Sequence, residues 1–132
     1  MNELEFRFAY FTPNFDATVA FYRDGLELPL VGSWDRGPDD RGALFGAASG
    51  IIEVLAHPRS GSSSHLWDVR PPQGAFMVIE VADVDELHRR ALDKNLPIQQ
   101  EPKLQSWGHR SFCIREPNGL TLYFFTAVAG PS

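Results

Sequence analysis

Two helix-start signals 69 residues apart constrain this chain more than any other feature. Asn14 stands before the apolar set Phe15, Val19 and Tyr22, with Phe21 beside it, and Asp83 stands before Val84, Leu87, Ala91 and Leu92. Both sets have helical spacing, and Asn and Asp are side chains able to satisfy the open amides of a first turn. The same offset carries Gly50 onto Gly119, each in a turn before a final strand. Two landmarks agreeing at one offset point to an internal duplication. Each half then reads as strand, helix and three further strands.

The strand signals fill in this frame. Residues 4–12 are dense in aromatics and stop at Pro13, which cannot continue a ladder. Asp24-Gly25 closes the first helix, residues 26–34 read as a strand interrupted by Pro29, and residues 35–41 as a turn. Residues 43–47 and 51–56 form a hairpin through Ser49-Gly50. In the second half the strands are 76–81, 98–100, 107–115 and 120–126, the last two joined by Glu116-Pro117-Asn118-Gly119. Glu86, three residues after Asp83, makes a variant capping box, and Asn95 suits a left-handed helix end. The expected organisation is one domain over 1–132, with module one at about 4–57, a Ser/Pro-rich linker at 58–74 and module two at about 75–127.

Composition removes several function classes. A single cysteine, Cys113, excludes an intrachain disulfide and cysteine-rich metal knuckles. A net charge of −5 without a Lys/Arg cluster argues against nucleic acid. No apolar run is long enough to span a membrane, and MNELEFRF has acids where a signal peptide needs bases, so a cytoplasmic location is expected. No Ser-His-Asp order, phosphate-cradling loop or dinucleotide fingerprint occurs, and Cys113 lacks an evident base.

Strand periodicity sorts side chains onto faces. The aromatic row Phe6, Phe8 and Tyr10 should pack on the helix, leaving Arg7, Ala9 and Phe11 on the opposite face. Likewise Ile52 and Val54 face the helix, while Ile51, Glu53, Leu55 and His57 face away. Phe76, Val78 and Glu80 continue that face in the second half, with Thr121, Tyr123 and Phe125. If the half-sheets oppose one another, Arg7, Glu53, Phe76, Glu80, Tyr123 and Phe125 line the space between them. Such a mixed lining suits a small molecule better than a core. Trp34, Trp67 and Trp107 are candidate stacking platforms, Arg110 a structural ion-pair former, and His109 an exposed residue.

Three segments carry a resemblance: NFDATVAFYRDGLEL, FMVIEVADVDELHRRALDKNLPI and WGHRSFCIREPNGLTLYFF. Together they resemble the glyoxalase/bleomycin-resistance/extradiol-dioxygenase (vicinal oxygen chelate) superfamily over about residues 4–127. The third segment is the most specific, similar to a Trp-Gly-x-Arg-x-Phe, Asp-Pro-x-Gly-Asn pattern, with Glu116 for the Asp and Leu120 for the Asn. The resemblance implies an α+β fold of two βαβββ modules, whose curved mixed sheets surround a concave cavity with helices outside. It also implies four metal-ligand positions, which fall on Arg7, Glu53, Phe76 and Tyr123. Only Glu53 is a competent ligand there: Arg7 is a fixed cation, Phe76 has no lone pair, and neutral Tyr123 is a poor donor. His57 lies four strand residues, about 13 Å, from Glu53, and a displaced site using His57 and His109 stays open.

The expectation is therefore a protein without metal or cofactor, close in character to the bleomycin-resistance branch. It would be a homodimer that binds a drug or metabolite, conferring resistance by sequestration, with no nucleic-acid or membrane partner. Its expected ligand-binding residues are Arg7, Phe11, Glu53, His57, Phe76, Glu80, Trp107, Tyr123 and Phe125. The alternative is a lyase, isomerase or epimerase, or dioxygenase of the same superfamily. In a metal-independent version Glu53 or Glu80 is the base and Arg7 holds an anionic oxygen. A third class is a subunit-interaction module with interlocked aromatics.

Overall fold

A computed structural model describes residues 4–56, 70 and 72–128. The chain divides into two compact units, Met1–Pro72 and Gln73–Ser132. Both have the α+β order expected from the duplication.

In the first unit, β1 (Arg7–Thr12) leads through α1 (Phe15–Ala20) and a π-helical turn (Phe21–Gly25) to β2 (Leu30–Asp35), β3 (Arg41–Ala47) and β4 (Gly50–Ala56). Its four-stranded sheet has the order β1-β4-β3-β2. The β1–β4 pair is parallel and the other two are antiparallel, so the sheet is mixed. The second unit repeats this with β5 (Phe76–Glu80), α2 (Val84–Asp93), β6 (Ile98–Leu104), β7 (His109–Arg115) and β8 (Thr121–Ala127), in the order β5-β8-β7-β6. The equivalent pair, β5–β8, is again the parallel one.

Each sheet buries one row of side chains and leaves most of the alternate row at least partly exposed, Ser111 being the buried exception in the second. The buried row of the first unit includes Tyr10, Ala43, Phe45, Ile52 and Val54, packed with Phe21 and Tyr22. The second buries Met77, Ile79, Phe112, Ile114, Leu122 and Phe124 with Val84, Leu87 and Ala91 of α2. A fully buried side chain of this size contributes about 1.5–3 kcal/mol, so these rows hold the units together.

The helix starts differ in how they are held. Asp83 accepts the Glu86 amide at 3.1 Å, as its N-cap position demands. The Glu86 carboxylate is taken by Arg89. Asn14 makes no side-chain cap hydrogen bond. Two buried threonines pin that turn instead: Thr12 Oγ1 accepts the Asn14 amide at 2.9 Å, and Thr18 Oγ1 donates to the Asn14 carbonyl at 2.8 Å. In consequence the first helix buries Thr18, Phe21 and Tyr22, while Phe15 and Val19 are half-exposed.

Other boundaries also shift for identifiable reasons. Phe6 precedes β1 and is 71% exposed, so it is not part of the helix-packing row. Residues 26–29 are not strand: Leu26 is buried after a π-type bond to the Phe21 carbonyl, and Glu27 takes a left-handed φ of 58°. β6 runs on to Leu104 because its Pro102 falls between the register shifts at Gln100 and Lys103, on an edge strand where a missing amide is tolerated. Asn95, at φ 57°, ends α2 as expected. The linker, with His65 and Trp67, lies almost wholly outside the described residues, as does His57. Among the described residues no helix is long and apolar enough to cross a membrane.

Candidate functional site

On the open face of the first sheet, strand pairing sets Ala9, Glu53 and Leu44 in one row, and Phe11, Leu55, Gly42 and Trp34 in the next. Directly paired residues point to the same side. Arg7, one row further, reaches Glu53: Nη1 donates to Oε1 at 3.2 Å. Its Nε donates to Glu5. Glu53 is the better shielded partner, 17% exposed against 39% for Arg7. Hydrogen bonds from the guanidinium to Glu5 and then Glu53 raise the Arg7 pKa, so this position holds a permanent cation.

Trp34 is held against the same face by a missing side chain. A Cβ on Gly42 would lie 2.1 Å from the indole Cζ2, so the ring occupies the space that any larger residue would fill. Its Nε1 donates to Asp40 Oδ1 at 3.1 Å, and Arg36 grips both Asp40 oxygens at 2.9 and 3.2 Å. The Arg36 hydrogen bonds, reinforced by Trp34, hold the Asp40 carboxyl below its ordinary range.

The open face of the second sheet is aromatic. Its rows run Phe76–Thr121–Arg115, then Val78–Tyr123–Cys113–Gln100, then Glu80–Phe125–Ser111–Lys103. Phe76 and Val78 are more than half exposed. The His109 ring stacks on Phe125 with centroids 3.8 Å apart and planes 13° apart. Three polar atoms converge beside that stack. Trp107 Nε1 is 3.2 Å from both His109 Nδ1 and Tyr123 Oη, and the latter two are 3.1 Å apart.

Local chain geometry builds this cluster. The Gly108 amide donates to the Gln105 carbonyl, closing the β6–β7 turn, and Gly108 has a φ of 86°. Trp107 therefore sits in that turn rather than in the strand expected from 107. On the opposite side of the sheet Arg110 clamps Asp85 with bonds of 2.8 and 3.0 Å, lowering its carboxyl pKa. Buried Glu116 braces the β7–β8 turn by accepting the Asn118 amide and the Leu120 amide, the latter at 2.9 Å.

The structure thus brings together Arg7 with Glu53, and Trp107 with Tyr123 and Phe125. It sets Phe11 on the first open face, and Phe76 and Glu80 on the second. His109, read from sequence as exposed and as a candidate for a displaced site with His57, is the centre of the second cluster. Its alternation with Ser111 and Cys113, opposite Phe125 and Tyr123, was the available signal. Cys113 is half-buried on this face beside Tyr123, and burial raises its thiol pKa.

The residues at the four metal-ligand positions do not fit a metal. Glu53 has Arg7 bound to its Oε1, and Phe76 and Tyr123 offer a hydrocarbon ring and a hydrogen-bonded phenol. Among the described residues no group of three or more His, Cys, Asp and Glu could hold an ion.

Residues 6–124 match the sequence profile of the Glyoxalase/Bleomycin resistance protein/Dioxygenase superfamily. Comparison with curated proteins found no match. Among solved structures the chain resembles TioX from Micromonospora sp. ML1, at 19% identity and a TM-score of 0.73, covering 96% of this chain and 100% of that one. It also resembles a lactoylglutathione lyase from Agrobacterium tumefaciens, at 18% identity and a TM-score of 0.69, covering 96% and 94%. A glyoxalase/bleomycin resistance protein/dioxygenase from Nocardioides gives 15% identity and a TM-score of 0.71, covering 100% and 88%. At these identities the solved structures show a shared fold, and the profile, matching nearly the whole chain, shows the family: this protein belongs to the glyoxalase/bleomycin resistance/dioxygenase superfamily.

Proposed function

We propose that this protein binds a planar small molecule without a metal and holds it without chemistry. The observation that carries the reading is the partly exposed aromatic face of the second unit, where Trp107, His109, Tyr123 and Phe125 surround one focus of polar atoms. Aromatic platforms reward a flat ligand with about 0.5–1.5 kcal/mol beyond area burial. Phe76 and Glu80 belong to the same recognition surface, and on the first unit's own face Arg7 and Glu53, with His57 as the sequence suggests, offer polar groups beside the apolar ring of Phe11. Net acidity favours a cationic or polar aromatic ligand. Such a protein protects a cell by sequestering a drug, works in the cytoplasm and acts as a homodimer.

Calorimetry of the purified protein against glycopeptide and intercalating antibiotics tests this. Micromolar affinity for at least one planar compound is expected. Affinity no tighter than millimolar for every compound would contradict it, and a monomer by light scattering would remove the dimer.

One observation favours a second reading, a metal-independent lyase or isomerase. Glu53 is a largely shielded carboxylate set beside a fixed cation, the combination needed for a base next to an oxyanion holder. In that case Glu53→Gln abolishes turnover of a carbonyl substrate while affinity changes little.

A further inference from the structure

We infer that His109 is a specificity-determining residue: its ring is locked with the proton on Nε2, and that N–H selects planar ligands carrying a hydrogen-bond acceptor on their edge. The inference deepens the planar-ligand reading above and rests on it.

The lock follows from the donor inventory. An indole N–H only donates. Trp107 Nε1 points its hydrogen at His109 Nδ1 and at Tyr123 Oη, 3.2 Å from each. A proton on Nδ1 would set a second hydrogen against the Trp107 hydrogen aimed at the same nitrogen, so the arrangement favours a lone pair on Nδ1. Tyr123 Oη then accepts from Trp107 and donates to Nδ1 across 3.1 Å, completing the triangle. In the neutral ring the remaining proton belongs on Nε2. That nitrogen makes no hydrogen bond to any described residue and is not a buried orphan, so its N–H is open to solvent or ligand.

The ring's direction is fixed as well as its proton. Stacking on Phe125 with planes 13° apart holds the imidazole parallel to that phenyl ring, and its N–H lies in the ring plane. A flat molecule on this face therefore meets a rigid donor. A ligand with a carbonyl, oxo or ring-nitrogen acceptor pairs with it, whereas a hydrocarbon analogue strips its water and leaves it unpaired. One such neutral hydrogen bond corresponds to about a five- to tenfold preference.

The test uses two probes of equal positive charge and similar shape, the 2-(trimethylammoniomethyl) derivatives of anthraquinone and anthracene, with the full chain. The wild type should bind the quinone about fivefold or more tightly, and nitrogen-15 NMR should show His109 as the Nε2–H tautomer. In His109→Phe the preference should fall to about one, and His109→Gln, which keeps a donor, should restore part of it. Equal binding of both probes by the wild type, or an Nδ1–H signature, overturns this inference and leaves the planar-ligand reading standing. Failure of both probes to bind overturns both. Loss of all binding in both variants, with circular dichroism unchanged, also overturns it, because shape rather than the donor then decides.

Discussion

The two units place opposite chemistry at equivalent points. Arg7 and Phe76 each open the first strand of their unit, and Glu53 and Tyr123 each pair with the third residue of that strand, Ala9 and Val78. In the first unit these points form an ion pair; in the second they form part of an aromatic surface. The backbone register is the same in both. What the fold requires is the buried row beneath, which is largely apolar in each unit. The open row is free to vary, and there the difference between charge and π-surface decides what the protein can bind. A pair such as Arg7–Glu53 also occupies the one carboxylate that could have served a metal.

Adjacent phenylalanines give the largest test of this division. Phe124 is 1% exposed and Phe125 lies on the open face. Phe124→Ala should cost about 3–5 kcal/mol in chemical denaturation, while Phe125→Ala should cost far less and instead weaken binding. Equal losses of stability would mean that the rows are wrongly assigned. A smaller effect is expected in the first unit at Gly42→Ala. The added methyl evicts the Trp34 ring, costing about 1–3 kcal/mol and shifting tryptophan emission. An unchanged spectrum would show that the indole does not lie on Gly42.

Glu53→Gln should change stability least among the open-face substitutions, because both partners reach solvent and Arg7 keeps Glu5. The smallest effect is electrostatic. Arg110 lowers the Asp85 pKa below its ordinary 3.8, so the pair stabilises the fold above that value, and the benefit is lost as pH falls through the lower folded value. Asp85→Asn should therefore lower stability slightly at neutral pH and remove part of the acid sensitivity. Asp85 is half-exposed, so added salt should shrink the difference.

Periodicity and turn residues carried most of the fold. The two helix starts, the hairpin glycines and the alternation of Ile52 and Val54 with Glu53 are local signals, and each was readable. Tertiary choices were not. Thr12 and Thr18 replace Asn14 as the pin of the first helix because both are buried with their hydroxyls against the Asn14 backbone, which no spacing rule records. The same limit hid the second cluster. Trp107, Tyr123 and Phe125 could be chosen for their type and face, but the place of His109 depends on the β6–β7 turn and on a stack across strands. Arg7 and Glu53 could each be chosen for their alternation face, but their pairing depends on β1 lying beside β4, which periodicity does not record.

Binding of one planar compound, measured by calorimetry on metal-stripped protein, tests most directly whether the aromatic face carries recognition. Wild-type affinity should survive chelation, Trp107→Ala and Tyr123→Ala should each weaken it about tenfold, and Glu53→Gln should weaken it less. Affinity that vanishes with chelator, or that falls more for Glu53→Gln than for the aromatic variants, would contradict a metal-free ligand site on the second sheet.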